Sequence, residues 1–112
     1  MATLAREKLL DQAHQVFGLS TTELARLFGV SRQAVDQWHA RGIPSAHQQK
    51  AAAVAAIADL LSHRLKAERI PGIARRPADA YGGSTMLEMI ERDRHLELLE
   101  AVRRSFDWTT TG

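Results

Sequence analysis

The chain has 112 residues, 45% of them apolar and 25% charged, with a formal net charge of +2, the balance of one compact domain, or a small domain with a helical appendage, rather than a disordered chain. No run of about 18 uncharged apolar residues exists, and MATLAREKLL carries charge where a signal peptide needs its apolar stretch, so the expectation is a cytoplasmic protein with no membrane partner. Cysteine is absent, which excludes disulfide staples, thiolate zinc sites and cysteine nucleophiles together.

Strand signals are missing and helix punctuation is frequent, so the expected fold class is all-α. Ser20-Thr-Thr-Glu23, Ser45-Ala-His-Gln48 and Thr85-Met-Leu-Glu88 each fit a capping box, in which a hydroxyl accepts from an early amide while Glu or Gln reaches back. Thr3 and Ser31 are two further N-cap candidates, and Gly18, Gly29, Gly42 and Pro71-Gly72 read as stops. These signals place helices at 4–17, 21–28, 31–41, 45–68, 85–92 and 95–106.

The second and third of these, within ELARLFGVSRQAVDQWHARGIP, have the residue sizes of a helix-turn-helix. Ala25 is small where two short helices would cross. Gly29 can take the positive φ that ends the first helix, and Val35 and Trp38 turn inward beside Leu24, Phe28 and Val30. Arg32, Gln33, Asp36, Gln37 and Arg41 are left facing outward. Arg pairs with guanine edges and Gln with adenine edges in a major groove, so Arg32, Gln33 and Gln37 are the candidates for base contact. Ser31, with the amides at the helix start, suits a phosphate, and Arg41 and Lys50 are assigned to phosphates as well. Asp36 suits either acceptance from a cytosine amine or a pairing with Arg32, of which the pairing is the simpler expectation. The partner implied is double-stranded DNA.

The long helix, QQKAAAVAAIADLLSHRL, carries a stripe of Val54, Ile57, Ala58, Leu61 and Leu65, with alanines on most other faces. A helix apolar nearly all round is seldom left exposed. Cover is expected from the C-terminal segment and from a second subunit, giving a homodimer or higher oligomer. Next comes IPGIARRPADAYGG, Ile70 to Gly83, with two of the three prolines and three of the seven glycines, which reads as a connector. Beyond it, Met86, Leu87 and Ile90, then Leu98, Leu99, Val102 and Phe106, outline a helical hairpin. Charge changes along the chain: residues 51–83 carry five basic against three acidic residues, whereas from Ser84 four arginines face six carboxylates. A basic front and an acidic back suggest two different partners.

TTELARLFGVSRQAVDQWHARG resembles the helix-turn-helix of Xre-like regulators, including the tryptophan near the end of the second helix. RRPADAYGG with the hairpin after it resembles the toxin-binding domain of the Xre/MbcA/ParS antitoxin group. The resemblance implies a type II antitoxin: a dimer that binds its own promoter as an autorepressor and neutralises a protein toxin, usually of the NAD-consuming RES class. Its C-terminal region would lie over the toxin's active-site entrance. Carried onto this sequence, the matching positions are Arg76, Pro77, Gly82, Gly83, Leu87, Ile90, Val102, Phe106 and Trp108, with Arg103, Arg104 and Asp107 close enough to join. The organisation implied is a helix-turn-helix module with its long helix at 1–69, a linker at 70–83, and a toxin-binding or oligomerisation segment at 84–112. Two other readings fit the same residues: a transcriptional regulator without a toxin, and an oligomeric DNA-packaging protein like a phage terminase small subunit.

Enzymatic chemistry is not expected. His14, His39, His47, His63 and His95 show neither HExxH nor a paired spacing, so no metal and no cofactor are assigned, and lone histidines on such helices are expected to be solvated. There is no GxSxG elbow, no GxxxxGK[ST] loop and no GxGxxG after a strand, so no catalytic residue is assigned. Gly82-Gly83-Ser84 reads as a turn before a helix cap. Glu88, Glu91, Glu97 and Glu100 alternate with arginines as a solvated face worth tenths of a kcal/mol per pair.

Overall fold

A computed structural model describes the backbone from Ala2 to Thr111 and the side chains from Leu9 to Phe106. The elements are α1 (Ala2–Phe17), α2 (Thr21–Phe28), α3 (Arg32–Arg41), α4 (Ser45–Arg64), a 3-10 turn (Ala67–Arg69), α5 (Ile70–Ala74), a second 3-10 turn (Asp79–Tyr81), α6 (Met86–Glu91) and α7 (His95–Thr111). No strand occurs among the described residues, so the all-α class holds.

Local chemistry accounts for most of these boundaries. Before α2, the Ser20 hydroxyl accepts from the Glu23 amide at 3.1 Å while the Glu23 carboxylate accepts from the Ser20 amide at 3.0 Å, a complete capping box. Thr85 and Glu88 repeat it before α6, at 3.0 and 2.8 Å. The third proposed box fails. Ser45 is already the first residue of α4, Pro44 occupies the cap position, and the Gln48 side-chain amide donates instead to the Ile43 carbonyl at 2.9 Å. Helix α1 is already formed at Ala2, so Thr3 lies inside it rather than capping it.

The centre of the molecule is α4, flanked by α1 and α7 of the same chain. Val54, Ile57, Ala58 and Leu61 are buried, as are Leu10, Ala13 and Phe17 from α1 and Leu98 and Val102 from α7. The expected apolar stripe is therefore real, and the C-terminal segment does fold back over it. Leu65, at the C-cap, is only half-buried.

The stretch 70–83, expected as a connector, is instead folded into the body. Pro71 stands in the first turn of α5, where its missing amide hydrogen costs nothing and its fixed φ suits a helix; it starts a helix where a stop was expected. Ile70 and Ala74 are buried in the same core as α4. At the far end of the stretch, Gly82 and Gly83 have φ of 64° and 86°. A Cβ at either would meet no atom within 4 Å, so the left-handed backbone, not crowding, is what calls for glycine. The Gly83 amide closes this turn on the Ala78 carbonyl at 2.9 Å.

Candidate nucleic-acid interface and partner surface

The α2–α3 unit is built as its sequence suggests. Gly29 ends α2 at φ 66°, with its amide on the carbonyls of Ala25 and Arg26. Ala25, Leu24, Phe28, Val35 and Trp38 are buried, and Val30 packs half-buried against them. Trp38 meets Phe28 edge to face, 5.5 Å between ring centroids at 86°, the geometry preferred by aromatic quadrupoles. His47 of α4 completes a cluster of three rings, 4.9 Å from the Trp38 centroid and 6.3 Å from that of Phe28. The tryptophan is thus core, and α3 is held by its inner face.

The outer face of α3 is free. Ser31, Arg32, Gln33, Asp36, Gln37 and Arg41 are all exposed. Ser31 caps the helix, its hydroxyl oxygen accepting from the Ala34 amide at 3.1 Å, which leaves the hydroxyl hydrogen available to donate. Arg32, Gln33 and Asp36 line one open depression. Among the described residues, however, no ion pair joins Arg32 to Asp36, contrary to expectation. The guanidinium is left unengaged.

Lys50 does not belong with these residues. It is 8% exposed, and its ammonium donates to the Leu27 carbonyl and to the Asp93 carboxylate, the latter at 2.8 Å. The same nitrogen lies 5.4 Å from the Phe28 ring centroid. A buried ammonium already committed to two acceptors has no phosphate to meet, so its assignment to DNA is withdrawn. Asp93 is held below the usual carboxylate range by its hydrogen bond with Lys50.

The expected partner-binding residues divide into two groups. Ile90 and Val102 are 0% and 2% exposed, part of the core rather than of the partner surface expected for them. Arg76, Pro77, Gly82, Gly83, Arg103 and Arg104 are exposed. Leu87 is half-buried and lines a hollow of about 240 Å³ with Leu19, Glu23, Arg26, Leu27, Glu88 and Glu91, between α2 and α6. Phe106 is half-buried, with the Arg64 guanidinium 5.5 Å from its ring centroid. The side chains of Asp107 and Trp108 lie outside the described residues.

Arg75 and His95 carry structure that sequence reasoning passed over. The Arg75 guanidinium donates to the carbonyls of Phe17, Pro71 and Gly18 at 2.8, 2.9 and 3.1 Å, and to Glu23 at 3.1 Å. It binds α5 to the end of α1 and the start of α2. His95 is 9% exposed, not solvated; burial, then the charge of Lys50, push its pKa down. No group of His, Cys, Asp or Glu that could hold a metal occurs among the described residues. Among the same residues, no helix is long and apolar enough to cross a membrane.

The order of elements and the packing of α4 between α1 and α7 have a counterpart among solved structures. A chain in the crystal structure of the M. tuberculosis MbcT–MbcA toxin–antitoxin complex superposes with a TM-score of 0.71. The two share a fold. The match covers 87% of this chain and 89% of that one at 16% sequence identity, and so extends over both halves of the chain. No protein-family model and no curated protein matches the chain.

Proposed function

We propose that this chain is the antitoxin of a toxin–antitoxin pair, acting by occupancy of its operator DNA and of its toxin rather than by catalysis. The observation that carries the reading is the shared fold with a chain of the MbcT–MbcA complex across both halves of the molecule. The free outer face of α3 supports the DNA half: Arg32, Gln33 and Gln37 present donors and acceptors suited to base edges, with Ser31 and Arg41 placed for phosphates. A dimer would set two such helices in successive major grooves about 34 Å apart. The toxin half rests on the exposed Arg76, Gly82, Gly83 and Arg103 and on half-buried Leu87 and Phe106. The likeness of RRPADAYGG and the following hairpin to antitoxins of the Xre/MbcA/ParS group favours a RES-type, NAD-consuming toxin.

Co-expression with the neighbouring open reading frame tests this. The expected result is a neighbour that arrests growth alone and is tolerated with this chain. Deleting 84–112 is a poor control, because Ile90, Leu98 and Val102 would leave the core. Reversing the exposed charges, Arg76→Glu with Arg103→Glu, should abolish rescue while the protein stays folded. A harmless neighbour, or a toxic one that this chain fails to restrain, would count against the antitoxin.

A further inference from the structure

Lys50, Asp93 and the Leu27 carbonyl join parts of the molecule that the proposed function assigns to different partners. Leu27 is the penultimate residue of α2, so its carbonyl belongs to the last helical turn, which lacks intrahelical donors. The carbonyls of Ala25 and Arg26 in that turn are taken by the Gly29 and Val30 amides. The Leu27 carbonyl is taken by Lys50, from α4. The same ammonium reaches Asp93 in the turn between α6 and α7.

Asp93 is unusual in its own right. Among the described residues it is the one non-glycine with positive φ, at 61°. Its amide closes on the Ile90 carbonyl, and the next amide, of Arg94, on the Met89 carbonyl at 2.8 Å. This is the left-handed helix end at which glycine is ordinarily favoured, and a residue with a Cβ stands there against its backbone preference. Glycine would make the turn more easily but would supply no carboxylate to Lys50. The groups facing the ammonium are the Leu27 carbonyl and Phe28 ring from α2 and Asp93 from the turn, with the charges of His47 and His95 acting on that same Asp93.

We infer that Lys50 is a positioning residue linking the α6–α7 turn to the α2–α3 turn, so that its contact with Asp93 sets how α3 is presented to DNA. The inference rests on the proposed function for the DNA, but the link itself is a property of the chain. Withdrawing Asp93 leaves the ammonium in an apolar setting with one acceptor fewer. The Leu27 carbonyl and the Phe28 ring, one residue from Gly29, are the groups that must adjust.

Hydrogen exchange in the full chain reads the link directly, at the Val30 amide bonded to the Ala25 carbonyl. Asp93→Gly suits the left-handed backbone, which offsets part of the cost of the lost contact to Lys50, so the variant should remain folded. Exchange at Val30 should nonetheless rise by about fivefold or more, the lower range of measured couplings between sites. Lys50→Met should do the same, and the double variant should add little to either. Unchanged exchange at Val30 in Asp93→Gly, or full additivity of the two changes, would overturn the link. Titration with a duplex from upstream of the chain's own coding sequence separates the two claims. If wild type binds it, Asp93→Gly should weaken binding by about the same factor. A wild type that binds no duplex removes the nucleic-acid reading and leaves the exchange data to judge the link alone.

Discussion

Arg75→Ala removes a guanidinium that connects three segments, and its cost can be worked from the geometry. Three bonds go to the carbonyls of Phe17, Pro71 and Gly18 and one to the Glu23 carboxylate, all between 2.8 and 3.1 Å. The Arg75 side chain is 36% exposed and that of Glu23 38%, so solvent screens the group substantially. Each carbonyl bond is then worth about 0.5–1 kcal/mol net, and the ion pair about 0.2–1 kcal/mol. The expected loss is about 2–4 kcal/mol, or roughly 8–16 °C in Tm for a chain of this size. Arg75→Lys keeps the charge but offers a point in place of a planar fork and should recover less than about half. Urea denaturation of the full chain, followed by far-UV circular dichroism, measures this. A change under about 0.5 kcal/mol, the usual range for an uninvolved surface residue, would refute the role given to Arg75.

Gly29→Ala places a Cβ where φ is 66° and no atom lies within 4 Å; backbone strain alone should cost about 1–2 kcal/mol, and a neutral or stabilising result in the same urea assay would contradict that reading. His95 should give the stability curve an acid limb. Its folded pKa lies below the unfolded value of 6.5, so the unfolded chain binds the proton first and stability, full above that pH, falls as pH drops through it. His95→Gln should flatten this limb relative to wild type, and parallel curves for the two proteins would exclude it. Glu23, lowered chiefly by the Ser20 amide and then by Arg75, should add a further loss below its ordinary value of 4.5, reduced in Glu23→Gln.

What was legible in the sequence was what short-range chemistry writes. The Ser20 and Thr85 boxes, the Ser31 cap and the left-handed Gly29 all involve groups within five residues of one another, and the α2–α3 unit follows from them with its apolar spacing. The Lys50–Asp93 pair spans 43 residues and the Arg75–Glu23 pair 52, and no local pattern distinguishes such a lysine or arginine from a solvated one. By sequence alone Lys50 is therefore indistinguishable from a free cation near DNA. Pro71-Gly72 failed for a different reason: proline ends one helix and opens another with equal ease, and only the burial of Ile70 and Ala74 against the core decides between them. Ile90 and Val102 were placed at a partner surface by resemblance, although apolar residues at helical spacing serve a core as readily as an interface.

Groove reading by the outer face of α3, as proposed, can be measured by fluorescence titration of the full chain against its own upstream duplex and a scrambled duplex of equal length, for wild type and Arg32→Ala. Wild type should prefer the upstream duplex, and Arg32→Ala should lose about 1–3 kcal/mol on that duplex with little change on the scrambled one. Equal affinity of both proteins for both duplexes would contradict it.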